Sequence, residues 1–157
     1  MQSRISFKFF VHEGGQAPQL GKRGDAGIDV FARITEQLEV NQFQSVKIPL
    51  GFSYAILKDG ELTDDFFLDV RNRSGVGTQS GMATLAETGD ANYRGELHYC
   101  AAKITPGVFI IKPGMKIAQI VFSPFIDPFR VEFYQTFNQQ DLGITARGSL
   151  GFGSSGG

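Results

Sequence analysis

The segment GDANYRGEL, residues Gly89 to Leu97, sets an acid, an amide, a phenol, a guanidinium and two glycines in nine positions. The chain enters it through the extended run MATLA (82–86). It leaves through ELHYCA, in which Leu97, Tyr99 and Ala101 alternate with Glu96, His98 and Cys100. That is a hairpin pattern with Gly89 to Gly95 at or near the bend. A carboxylate held there, as on Asp90, is ionised near neutral pH and can accept a proton from water. The same residues also suit an Asx turn, in which Asp90 and Asn92 hydrogen-bond their own backbone. Residue chemistry alone leaves both readings open.

Three other stretches carry chemistry. In VRNRSGVGTQSG (70–81), Arg73, Ser74 and Gly75 offer a guanidinium, a hydroxyl and unobstructed backbone N–H groups, the parts that grip phosphate oxygens. Any single Arg-Ser-Gly triplet is common. In KIAQIVF (116–122), alternation sets Gln119 with Ile117 and Val121 on the face opposite Ala118, Ile120 and Phe122. An amide among apolar strand residues needs a partner, either backbone or ligand. In GDAGIDV (24–30), Asp29 enters a strand just after a pair of glycines, as a strand-edge charge, a structural acid or an outer-shell partner of a metal.

Composition narrows the classes. The chain has 157 residues, enough for one domain with its own core, and a formal net charge of -1 that offers no general attraction for nucleic acid. A single Cys100 permits neither an internal disulfide nor a thiolate metal cluster, which suits a reducing, cytoplasmic setting. No apolar run approaches the ~20 residues of a membrane span, and no signal-peptide core opens the chain. Two His, His12 and His98, give no multi-His zinc pattern, and the sequence has no GxxxxGK[ST] loop and no GxSxG elbow.

The elements that must position these residues read as strands. With 20 Gly and 15 Phe spread among short Val, Ile, Phe and Leu segments, the composition is that of a β protein. Apolar stretches recur at 5–11, 28–34, 45–57, 66–70, 96–104, 108–111, 116–122 and 131–137. KDG (58–60) and KPG (112–114) read as hairpin turns. No segment keeps a 3.6-residue spacing over a dozen positions, so the reading is an all-β barrel or sandwich. A polar loop is expected over 12–27. The last ten residues, GSLGFGSSGG, with five glycines, are expected to form a flexible tail carrying one aromatic, Phe152.

In order along the chain, AGID (26–29), RSG (73–75), GDANYRGE (89–96), PGMKIAQ (113–119) and RGSLGFGSSG (147–156) resemble the five motifs of the homotrimeric dUTPase family. The resemblance implies a jelly-roll-like distorted β-barrel over residues 1–146, assembled as a homotrimer with sites between subunits. It also implies a mobile arm, 147–157, that closes over a site. The implied reaction is hydrolysis of dUTP to dUMP and pyrophosphate with Mg²⁺. In it, Asp90 is the general base toward the attacking water and Tyr93 presses against the deoxyribose. Arg73, Ser74, Gly75 and Gln119 hold phosphates from a neighbouring chain. Arg147, Phe152 and Gly153 arrive on the arm of a third subunit, with Phe152 stacking on uracil. Asp29 stands near the magnesium through water, the ion itself being held mainly by the triphosphate.

Uracil presents acceptor, donor and acceptor along its O2, N3 and O4 edge, a series that exposed strand backbone can match. The expected place for that reading is Thr84 to Gly89, including Thr88, with the return strand near His98. The chain departs from the family pattern in three ways. Glu87, Thr88 and Gly89 stand where Gly and two aliphatic residues are usual. Asn92 and Thr84 stand where Asp and Asn are common. Two extra glycines in VGTQSG suggest an irregular segment over Val76 to Ser80. The competing expectations are a nucleotide-sensing or partner-binding switch on the same fold and, behind it, a dCTP deaminase.

Overall fold

The computed structural model describes residues 3–132, 135–143 and 145. Thirteen strands appear among them: β1 Ile5–Val11, β2 Gln19–Leu20, β3 Ile28–Phe31, β4 Leu38–Asn41, β5 Ser45–Pro49, β6 Phe52–Lys58, β7 Glu61–Leu62, β8 Phe66–Asn72, β9 Met82–Ala86, β10 Thr88–Gly89, β11 His98–Lys103, β12 Val108–Ile111 and β13 Lys116–Pro124. A single short α-helix, α1 Ser74–Thr78, lies between β8 and β9. The chain divides into two compact units, residues 1–127 and 128–157. The strands lie in the first. No helix among the described residues is long and apolar enough to cross a membrane.

The all-β reading holds. The strands pair as β1-β6-β7, β10-β8-β13-β3-β2, β5-β11-β9 and β12-β4, so the ladder does not close into one barrel among the described residues. Period-2 alternation explains how the four sheets share one core. Phe52, Tyr54 and Ile56 point inward from β6, Tyr99 and Ala101 from β11, Phe109 and Ile111 from β12, and Leu68 and Val70 from β8. Burying each large apolar side chain contributes about 1.5–3 kcal/mol. Lys103 follows the same inward alternation, and its ammonium is satisfied by the Thr105 carbonyl, the Thr105 hydroxyl and the Pro106 carbonyl.

Several expectations change. The 45–57 stretch is two strands, because Gly51 turns the chain at φ +80°. The KDG turn does close a hairpin, β6 to β7, with Asp59 and Gly60 both at positive φ as a two-residue primed turn requires. KPG bends the chain but makes no hairpin, since β12 pairs with β4 and β13 with β3 and β8. A bulge near Ile117 turns both Ile117 and Ala118 into the core, which simple alternation forbids. The segment expected to be irregular, Val76 to Ser80, contributes instead to α1, anchored by buried Val76. The polar loop 12–27 contains β2. Residues 131–137 contain no strand among those described: Val131 closes a turn onto Pro128, next to the 3-10 turn Pro128–Arg130.

Candidate functional site

One end of the five-stranded sheet forms a cleft of about 590 Å³, lined by Gly21, Asp25, Ala26, Gly27, Asp29, Arg71, Arg73, Ser74, Gly75, Gln119 and Val121. The structure thus brings together five residues singled out from the sequence: Asp29, Arg73, Ser74, Gly75 and Gln119. Strand pairing causes this, because Gln119 on β13 stands opposite Asp29 on β3 on one side and Arg71 on β8 on the other. Arg73 follows β8 immediately and begins α1, so its backbone is extended while Ser74 and Gly75 enter the helix.

The polar groups here hold one another in place. Arg73 Nε donates to Asp29 Oδ1 at 2.9 Å, and Lys116 Nζ donates to Oδ2 of the same carboxylate at 3.1 Å. Gln119 Nε2 donates to the Asn72 carbonyl at 2.9 Å. Gly27 is required for that placement, since a Cβ there would stand 2.0 Å from Gln119 Oε1. Asn72 is a hub that sequence reasoning missed. Its amide donates to the Met82 carbonyl, its side-chain oxygen accepts from buried Tyr99, and its backbone carbonyl takes Gln119. Its polarity inside a strand was the available signal.

As a place for a divalent cation, the cleft supplies two carboxylates: Asp29, which already faces two cationic side chains, and Asp25, whose Oδ2 accepts from the Lys22 N–H. The described residues gather no group of three or more His, Cys, Asp or Glu that could hold a metal alone. Two carboxylates leave most of a hard cation's coordination to other oxygens, so this donor set fits an ion that stays largely hydrated.

The second constellation lies elsewhere. β9 and β11 pair as expected, but the register shifts between Cys100 and Ala101, and beyond Ala86 the chain leaves β11 to run as β10 beside β8. The hairpin therefore splays, with Thr84 on β9, Thr88 and Gly89 on β10, and His98 on β11. The Thr84 hydroxyl donates to the Glu87 carboxylate, which is exposed, so the charge at position 87 is satisfied at the surface. His98 Nδ1 lies 2.8 Å from the Glu96 carbonyl.

The loop Gly89 to Glu96 is pinned at both ends. The Asp90 carbonyl accepts from the Tyr54 hydroxyl at 2.8 Å and from the Tyr93 N–H at 3.1 Å. Tyr93 is 43% exposed, with its ring folded over Gly95 and its hydroxyl donating to the Glu96 carbonyl. A Cβ at Gly95 would collide with that ring. The Glu96 carboxylate receives Arg33 in a two-point contact at 2.7 and 2.5 Å and the Gly51 N–H at 2.8 Å. The Arg33 hydrogen bond, countered in part by burial and helped by Gly51, holds Glu96 below its ordinary pKa.

Within one chain these two constellations do not meet. Gly89 pairs with Leu68, whereas Arg73 lies five residues further along the β8 direction, about 16 Å of extended chain. Asp90 and Tyr93 are not among the residues lining the cleft. Arg147, Phe152 and Gly153 lie outside the described residues.

Comparison with known proteins follows the same motifs. The dUTPase family model matches residues 13–156. The chain is 36% identical over 153 residues to the deoxyuridine 5'-triphosphate nucleotidohydrolase of Chlamydia trachomatis serovar L2, covering 95% of this chain and 98% of that one. It is 28% identical over 155 residues to the Fusobacterium nucleatum protein of the same name, covering 98% of each. Among solved structures, a variant of the Staphylococcus bacteriophage 80alpha dUTPase with dUpNHpp superposes with a TM-score of 0.74 at 20% identity over 98% of both chains. A variant dUTPase from phage phi11 of S. aureus, described with a structural Mg(II) ion, gives 0.68 at 17% identity over 86% of this chain and 97% of that one. At such identities the superpositions speak for a shared fold.

Proposed function

The chain belongs to the dUTPase family, and on that premise we propose that it hydrolyses dUTP to dUMP and pyrophosphate in sites that each draw on more than one copy of the chain. The distance between the Asp90 loop and the Arg73 cleft carries this reading. Asp90 and Tyr93 do not line the cleft of their own chain, whereas a neighbouring copy can present both to a triphosphate lying there, as in a closed trimer.

In such a site Asp90 orients a water and takes its proton as the oxygen attacks the α-phosphorus. The bond from that phosphorus to the bridging oxygen breaks, and pyrophosphate departs. Arg73, Ser74, the Gly75 N–H and Gln119 hold the phosphate oxygens where negative charge accumulates, which is the largest contribution to lowering the barrier. Breaking the Arg73–Asp29 contact partly frees the guanidinium for phosphate. Mg²⁺, when bound with the nucleotide, would have Asp29 as its nearest protein carboxylate partner and would supply charge neutralisation. The Tyr93 ring, exposed and braced by Gly95, presents a flat wall to the sugar that leaves no space for a 2′-hydroxyl. The splayed strands from Thr84 to Gly89, with His98 opposite, offer backbone groups to the uracil edge. Arg147, Phe152 and Gly153 would close a third copy's arm over the nucleotide and exclude bulk water.

The test is pyrophosphate release measured side by side on dUTP, dTTP, dCTP and UTP, with Asp90→Asn in parallel. Release from dUTP alone, abolished in Asp90→Asn with binding of a non-hydrolysable dUTP analogue retained, supports the proposal. Binding without release would make the protein a nucleotide sensor. Ammonia from dCTP would make it a deaminase.

A further inference from the structure

Alternation along β6 requires only an apolar residue at position 54, yet the chain places a tyrosine there, 3% exposed, with its ring 5.9 Å from that of Phe7. The hydroxyl emerges at the edge of the core beneath the Asp90 loop and donates to the Asp90 carbonyl at 2.8 Å. The same carbonyl accepts the Tyr93 N–H, closing a tight turn over Asp90 to Tyr93 with Ala91 tucked inside. Gly89, immediately before the acid, makes room for the phenol: a Cβ there would stand 2.7 Å from the Tyr54 oxygen, with its next neighbours at 3.2 Å or more. Arg94 Nη1 ties the turn to the same strand by donating to the Ala91 carbonyl at 2.8 Å and the Tyr54 carbonyl at 3.4 Å.

We propose that Tyr54 is a positioning residue for the reaction: its hydroxyl fixes the Asp90 backbone and so aims the Asp90 carboxylate at the attacking water. The inference rests on the reading of Asp90 as the base. Burial first, and then the Asp90 charge, raise the Tyr54 pKa, which keeps the hydroxyl protonated and donating at any pH where the enzyme works. A fixed carbonyl matters because the side chain branches from the adjoining Cα, so holding the backbone leaves only χ1 and χ2 to set where the carboxylate points. Small misplacements of a reacting group cost large factors in rate, about 100-fold for 1 Å.

Tyr54→Phe keeps the ring and its packing and removes only the hydroxyl. It is expected to lower kcat on dUTP about tenfold with KM unchanged, and to speed amide exchange at Tyr93 while leaving exchange at core strands as it was. Gly89→Ala should lower kcat as well, because its methyl pushes on the Tyr54 oxygen. The double variant Tyr54→Phe with Gly89→Ala should recover activity relative to Gly89→Ala alone, since the phenyl ring leaves space for the methyl. An unchanged kcat in Tyr54→Phe overturns the inference. A fall in melting temperature with kcat and KM changing together also overturns it, by making the role one of packing, and so does a double variant no better than Gly89→Ala. If the unaltered protein released no pyrophosphate from dUTP, the functional reading would fail instead, and Tyr93 exchange would still report whether the hydroxyl pins the turn.

Discussion

Replacing Glu96 by glutamine preserves shape and removes one charge at the end of the Asp90 loop. The carboxylate now accepts two hydrogen bonds from Arg33 and one from the Gly51 N–H. In Glu96→Gln the amide N–H₂ must face either Arg33 Nη2 alone or both Arg33 Nε and the Gly51 N–H, so at least one contact becomes donor against donor. A charged hydrogen bond contributes about 1.5–3 kcal/mol, but the Arg33 side chain is 34% exposed, and solvent screening places the loss toward the lower end, about 2 kcal/mol. For a chain of this size that lowers the melting temperature by roughly 4–8 °C. Because Glu96 is held below its ordinary pKa, its contribution is complete above about pH 4.3, the unfolded value. It is lost as pH falls through the lower folded value. Thermal melts of both proteins from pH 7 to pH 3 should therefore show a gap that is constant at neutral pH and narrows only at the acid end. An absent gap at pH 7, or one that persists unchanged at pH 3, would refute the latch.

Two other substitutions probe the site's halves. Gly27→Ala drives a methyl into Gln119 Oε1, and because the obstructed group is the end of a flexible side chain, the amide should swing out of the cleft. Steady-state kinetics should show KM for dUTP raised several-fold, with little change in melting temperature. Tyr93→Ala removes the ring proposed to face the sugar. UTP turnover relative to dUTP should rise, and an unchanged ratio would count against a steric gate.

The gathering of the cleft residues was legible because they carry their chemistry in their types. An Arg, a Ser and a glycine at a strand end, an amide in an apolar strand and an acid after a glycine pair converge once β3, β8 and β13 lie side by side. The KDG turn was legible because Asp-Gly specifies its own dihedrals. What could not be read depends on partners distant in sequence. Nothing local says that β10 abandons β11 for β8, or that a bulge turns Ile117 and Ala118 inward together. Residues 131–137 have strand composition, yet a strand exists only against a neighbour, and among the described residues this one has turns instead. Tyr54 looked like an ordinary strand residue and Asn72 offered only its polarity as a signal, and their roles come from Asp90, Met82 and Tyr99, whose proximity only the fold creates.

The composite site is tested most directly by mixing two inactive proteins. Asp90→Asn and Arg73→Ala chains are each expected to lack dUTP turnover. If base and phosphate grip come from neighbouring copies, unfolding the two together in equal amounts and refolding them leaves about one site in four with both residues intact. Pyrophosphate release should then return to about a quarter of the unaltered protein's. If both residues served the site of their own chain, every site in the mixture would carry a lesion, and the mixture would stay as inactive as its components.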